Sequence, residues 1–236
     1  MEPIRFVQTW DPIAGRKQEY ATFITGEFQP GMKALGLEVV SGWYTLVGGG
    51  PHILVESLAE SFNQVEKALH DERLHEMLGR FMNLVTHYAS RVLEPTGWVT
   101  RYHGQMPSPE GVKYVQLWDI QPRQQEACDR FIREVHLPQM EAIGLKVIAG
   151  WNLMVGSGPQ LLSEALAPNL ARVAEALSDE RYLQLITRME ELVTHYESRV
   201  LVQHRSFLDT LQIIHGRAIR AVAPDEMVPM VGPIVE

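Results

Sequence analysis

The sequence predicts an α+β protein: two tandem ferredoxin-like β-α-β-β-α-β repeats packed sheet to sheet as a pseudo-dimeric α/β barrel. Three observations carry that expectation. Phe6-Val7-Gln8-Thr9-Trp10-Asp11 returns as Tyr114-Val115-Gln116-Leu117-Trp118-Asp119, and Thr86-His87-Tyr88-Ala89-Ser90-Arg91-Val92-Leu93 returns as Thr194-His195-Tyr196-Glu197-Ser198-Arg199-Val200-Leu201, both 108 positions later. Within each copy the hydrophobic spacing alternates between strand and helix periods in the order of the split βαβ unit. Such a sheet has one face under helices and another that must also be buried, and the duplicated chain carries its own partner sheet.

In copy one the first strand covers 6–10 and ends at Asp11-Pro12. A helix follows over 16–35. Pro30 breaks or kinks it, because proline lacks an N–H and clashes one turn back. Gly36 stands at the left-handed C-cap position. Residues 37–47 are rich in β-branched and aromatic side chains and read as strand. Gly48-Gly49-Gly50-Pro51 is a hairpin turn, and 52–58 is the returning strand. A short helix spans 61–69; in copy two Pro168 falls near its first turn. Asp71 caps a longer helix expected to run to Val92, because Leu74, Leu78, Phe81, Val85, Tyr88 and Val92 recur at three- and four-residue spacing. Residues 98–102 are then the fourth strand. The expected boundaries are repeat one at 1–104, a Pro/Gly/Ser linker at 105–111, repeat two at 112–208 and a C-terminal extension at 209–236. Residues 207–214, across the end of repeat two, read equally as helix or strand, which leaves the fourth strand of copy two open.

The charges are 21 Lys and Arg against 29 Asp and Glu, a formal net charge of −8. That balance argues against nucleic acid or an anionic membrane as partner. The single cysteine, Cys128, excludes an internal disulfide and a cysteine-rich metal site. No run approaches a membrane span, and the first residues lack a signal-peptide pattern, so a cytoplasmic protein is expected.

Leu35-Gly36-Leu37-Glu38-Val39-Val40-Ser41-Gly42-Trp43, the Gly-rich hairpin, and Leu54-Val55-Glu56-Ser57-Leu58 together resemble the dimeric α/β-barrel superfamily, in its NIPSNAP-like and EthD-like flavours. Glu134-Val135-His136-Leu137-Pro138 followed by Ile143-Gly144-Leu145 resembles the His-x-Pro and Gly-Leu pattern of EthD-like domains. The resemblance implies a small, partly apolar organic ligand between sheet and helices. It also implies cofactor-independent oxygenase, isomerase or lyase chemistry, haem binding through His87, His195 or another histidine as an alternative, or a non-catalytic interaction or stress-related protein. No complete catalytic motif of one subfamily is present. The assembly implied is an intramolecular pseudo-dimer, with further homo-oligomers open.

Several residues are candidates for the site. His87 with Tyr88 and Arg91, and their counterparts His195, Tyr196 and Arg199, place a histidine and an arginine one helical turn apart, suited to an anion or to acid–base work. The plainer reading anchors each arginine to a carboxylate at the barrel seam. Gln8, Trp10, Trp43 and Glu56, with their counterparts Gln116, Trp118, Trp151 and Glu164, form a second set. Glu56 between Leu54 and Leu58 is either a base of raised pKa or a buried ion-pair partner of Arg91 or Arg80. Glu72, His75 and Glu76 share a helix face, but copy two lacks the set, so no metal is expected. Cys128 reads as a buried thiol rather than a nucleophile.

If one copy specialises, copy two is the candidate. His136, Asn152 and Cys128 stand where copy one has Phe28, Tyr44 and Tyr20. His136 precedes Pro138 by two residues, where the helix must open, and is the candidate acid–base residue.

Overall fold

A computed structural model of the chain describes residues 3–99 and 111–203. The first half runs β1 (Ile4–Pro12), α1 (Lys17–Phe23), a π-helical turn (Ile24–Phe28), α2 (Gln29–Ala34), β2 (Glu38–Val47), β3 (Ile53–Ala59), α3 (Phe62–Leu69), α4 (Glu72–Phe81) and β4 (Val85–Pro95). The second half repeats the order: β5 (Val112–Ile120), α5 (Gln125–Phe131), a π-helical turn (Ile132–His136), α6 (Leu137–Ala142), β6 (Lys146–Val155), β7 (Leu161–Ala167), α7 (Leu170–Leu177), α8 (Glu180–Glu190) and β8 (Val193–Gln203). Neighbouring strands follow β1-β3-β2-β8-β5-β7-β6-β4 around a closed antiparallel barrel. The last strand of each half pairs with the second strand of the other, β4 with β6 and β8 with β2. Closure within one chain leaves no open sheet edge. No helix among the described residues is long and apolar enough to cross a membrane.

Local chemistry sets the elements. Ser61, Asp71, Asn169 and Asp179 cap their helices, each side chain accepting a backbone N–H of the first turn. Each such cap is worth about 1 kcal/mol. Pro168 lies just before the Asn169 cap rather than inside the first turn. The kinks expected at Pro30 and Pro138 take the form of the two π-helical turns, which end two residues before those prolines, each the second residue of α2 or α6. A single π-turn widens the backbone locally and accommodates the missing N–H.

Strand alternation divides the interior into three layers. Phe6, Trp10, Val55 and Val92 pack under the first-half helices with Phe28, Met32, Leu74 and Phe81. Tyr114, Trp118, Ala165 and Val200 do the same in the second half with Ile132, Met140, Leu185 and Met189. The barrel interior holds the opposite faces, with Val7, Leu93 and Trp151 on one side and Trp43, Val115 and Leu201 on the other.

One expected element is corrected. The helix read from Asp71 to Val92 ends at Phe81, and 85–95 is the fourth strand. Its counterpart is β8, which is helix-free from Val193 to Gln203. The reason is a β-bulge: the β1–β4 register shifts between Thr9 and Asp11, and His87 takes a positive φ of 53°. The inserted residue turns a two-residue step into a three-residue one. Val85, Tyr88 and Val92 therefore reach one face of a strand while mimicking helical spacing. Trp98 follows this strand and is not in one; the rest of 98–102 beyond Val99 lies outside the described residues, as do most of the linker and 204–236.

Candidate functional site

The two halves differ in the layer between sheet and helices. In the first half that layer is mainly aromatic. Phe81 meets Trp10, Phe23 and Phe28 at ring distances of 4.9, 5.5 and 5.3 Å, and the Trp10 indole N–H donates to the Tyr20 hydroxyl at 2.8 Å. Gln8 donates to the Tyr88 hydroxyl at 2.7 Å.

In the second half Phe28, Phe6, Leu74 and Val55 are replaced, 108 positions on, by His136, Tyr114, Tyr182 and Ser163. These join Gln116 and Tyr196 in a continuous polar chain. His136 Nε2 lies 2.9 Å from Gln116 Oε1, Gln116 Nε2 donates to the Tyr196 hydroxyl at 2.9 Å, and the Tyr182 hydroxyl lies 3.3 Å from Tyr196 and 2.5 Å from Tyr114. Ser163 donates to the same Gln116 oxygen at 3.3 Å.

The chain assigns the histidine tautomer. With the Gln116 amide N–H given to Tyr196, the Gln116 carbonyl oxygen faces His136, and in this arrangement Nε2 carries the hydrogen. Nδ1 is then a bare lone pair, and it has no hydrogen-bond partner among the described residues. His136 is fully buried, and burial lowers its pKa to about 4, so the ring is neutral at neutral pH. Burial and the neighbouring tyrosines push the Tyr196 and Tyr182 hydroxyls well up, so both remain protonated donors. Burial and then Asp129 push the Cys128 thiol up to about 11, which makes it a poor nucleophile.

Beside this layer a groove of about 690 Å3 runs between the start of α5, the adjoining π-turn and the barrel, lined by Trp98, Asp129, Arg130, Arg133, Asn152 and Leu161 among others. Trp98 forms its floor. It stacks on Trp118 at 5.9 Å with planes 5° apart, and its indole N–H donates to Asp129 at 2.9 Å. Only glycine fits beneath it, since a Cβ on Gly150 would come within 2.5 Å of the Trp98 ring. Trp118 in turn meets the His136 ring at 6.3 Å. The order inward is groove, Trp98, Trp118, His136.

The remaining candidates lie elsewhere. Glu56 and Glu164 sit inside the barrel, bonded to Arg5 at 2.7 and 2.6 Å and to Lys113 at 2.8 and 3.3 Å. Trp43 donates to Glu56 at 2.9 Å and lies under Lys113, while Trp151 lies 3.9 Å under Arg5. Burial alone would raise the Glu56 carboxyl. The charges of Arg5 and Lys113 outweigh burial and hold it far below the carboxylate range, so Glu56 is no base of raised pKa. The expected partners Arg91 and Arg80 are not its partners: Arg80 pairs with Glu27.

The helical pairing of His87 with Arg91 is corrected too. On a strand with the bulge at His87, Arg91 points into the barrel and His87 stands outside, its Nδ1 2.9 Å from Asp11; His195 stands likewise by Asp119. Arg199 bonds Glu197 at 3.1 Å, and among the described residues Arg91 makes no ion pair, so neither is anchored to a distant carboxylate. Arg5, Lys113, Tyr114 and Tyr182 were not singled out in the sequence. The 108-residue offset pairs Arg5 with Lys113, and that repeated cation was the available signal.

His136 is enclosed, with Nε2 facing Gln116, and the other described histidines, His52, His70, His75, His87 and His195, are exposed. No group of three or more potential metal ligands gathers among the described residues.

No family model matches the chain, and no curated protein does. Solved structures do. An anthrone oxidase-like protein has a TM-score of 0.59 at 13% identity, covering 86% of this chain and 92% of its own. A chlorite dismutase variant from Candidatus Nitrospira defluvii has a TM-score of 0.57 at 9% identity, covering 89% and 94%. At such identities the likeness is one of fold, the dimeric α+β barrel.

Proposed function

We propose that the chain binds a small, partly apolar organic molecule in its second half and acts on it without a cofactor, with His136 as the acid–base residue. The observation that carries this reading is the one-sided polar chain His136–Gln116–Tyr196–Tyr182. A buried polar network is costly to maintain unless every member is satisfied, and this one ends in a bare imidazole nitrogen. The EthD-like resemblance of the segment around His136 points the same way. The ligand enters from the groove by displacing Trp98 and by turning Trp118 away from the His136 ring, with Asn152 and Arg133 at the rim.

The reaction class is proton abstraction from a carbon acidified by a carbonyl conjugated to it through an aromatic ring, as in the central methylene of an anthrone. Nδ1 takes the proton, and the imidazolium formed is stabilised by the enolate beside it, which restores the basicity that burial removes. With dioxygen as oxidant, an anthrone would then give the quinone and one water.

The test uses anthrone with dioxygen. Quenching of tryptophan fluorescence reads binding beside Trp98, and absorbance reads quinone formation. His136→Phe, which copies Phe28, is expected to abolish enzyme-dependent turnover at a stability cost of about 1–3 kcal/mol, since it takes a donor from the buried Gln116 oxygen, with the fold retained by circular dichroism. Full turnover in that variant, or no binding by the wild-type protein, overturns the proposal.

A further inference from the structure

Arg91 and Arg199 lie outside that chemistry. They stand on β4 and β8, which occupy opposite walls of the barrel. Each is two positions before an inward leucine, Leu93 or Leu201, and alternation turns both toward the barrel axis. Both enter at one end. The antiparallel order brings the β2–β3 and β6–β7 hairpins to the end where β4 and β8 begin.

Each arginine lies against the hairpin of the opposite half. A Cβ on Gly158 would come within 2.6 Å of the Arg91 guanidinium, and one on Gly50 within 2.9 Å of that of Arg199. Both glycines have positive φ, 118° and 92°, so the tight turns and the close guanidinium approach need the same residue type.

The two cations are not balanced. Arg199 has Glu197, but the matching position beside Arg91 is Ala89. The carboxylates deeper in the barrel are engaged by Arg5 and Lys113. The Arg199 side chain is only 12% exposed, and its Nε has no hydrogen-bond partner among the described residues. Burial, and then the charge of Arg199, weaken the hold of Arg91 on its proton. Two largely buried guanidinium forks, of which only Arg199 pairs with a carboxylate, in a chain of net charge −8, form a local surplus of positive charge.

We infer that the hairpin end of the barrel is a binding site for a small oxoanion, a carboxylate or phosphate group held between Arg91 and Arg199 on the pseudo-twofold axis. One site is formed by both halves, and it is separate from the groove beside Trp98.

Inorganic phosphate and succinate are the probes, titrated into the full chain by calorimetry and by thermal shift at matched ionic strength. Saturable binding of either one is expected, and which one binds assigns the group. Arg91→Met and Arg199→Met are each expected to weaken it at least tenfold. Ala89→Glu copies Glu197 into the first half. It is expected to raise the melting temperature without anion and to abolish binding, which separates loss of the site from loss of the fold. The inference is overturned if neither probe binds saturably, or if Ala89→Glu binds as the wild type does.

Discussion

His136 replaces a phenylalanine in a buried layer, and that exchange makes it a pH-sensitive position. Its pKa is lowered from 6.5 to about 4 by burial. Between those values the unfolded chain binds more protons than the folded one, so stability is full above pH 6.5 and is lost as pH falls toward 4. The shift corresponds to about 3 kcal/mol at most. His136→Gln is expected to remove that slope. Urea melts of both proteins at pH 7.5 and 4.5 check it, and parallel losses in the two would show that His136 carries none of the acid sensitivity. The carboxylates are common to both proteins and cancel in the comparison.

The bulge in β4 is the element on which the site geometry turns. It sends His87 outward and Arg91 inward, although the two are four residues apart. His87 is 75% exposed in its side chain, so its conformational demand outweighs its packing. A branched residue at positive φ is strained by about 1–3 kcal/mol. His87→Val is therefore expected to be less stable than His87→Gly by that amount, since both lose the Asp11 contact. Equal denaturant midpoints would place the strain elsewhere. The same bulge recurs at His195, with a φ of 51°. The helix expected over this segment came from real periodicity in Val85, Tyr88 and Val92. Spacing alone does not distinguish a helical step from a strand that carries one extra residue.

For the whole molecule, the buried quartet of Arg5, Glu56, Lys113 and Glu164 joins the two halves through the barrel centre. Each cation bonds a carboxylate from its own half and one from the other. Removing one member leaves a buried charge uncompensated, and Glu56→Gln is expected to cost about 3–5 kcal/mol. Arg5→Met combined with Glu56→Gln should cost clearly less than the sum of the two single changes, because the pair is removed together. Strict additivity in a thermal or urea cycle would mean that the two residues do not share an interaction. The quartet also gives a physical reason for closure within one chain. Separating the halves exposes both its charges and the apolar faces around Trp43 and Trp151.

From the sequence alone, the duplication, the hairpins, the helix caps, the first three strands of each half and the pairing of two ferredoxin-like units as a barrel were legible, whereas the fourth strands were not. The legible features rest on local periodicity, turn chemistry and a fixed offset. The contrast between His136 and Phe28 was legible for the same reason, since two copies of one unit act as each other's control. Only the tertiary structure decided which predicted residues share a space. It divided them among the second-half layer with its groove, the barrel interior, the barrel end and the outer surface. Arg5 and Lys113 became the partners of the glutamates because they project from β1 and β5 across the barrel axis. That distance is set by closure of eight strands, and no spacing along the chain records it.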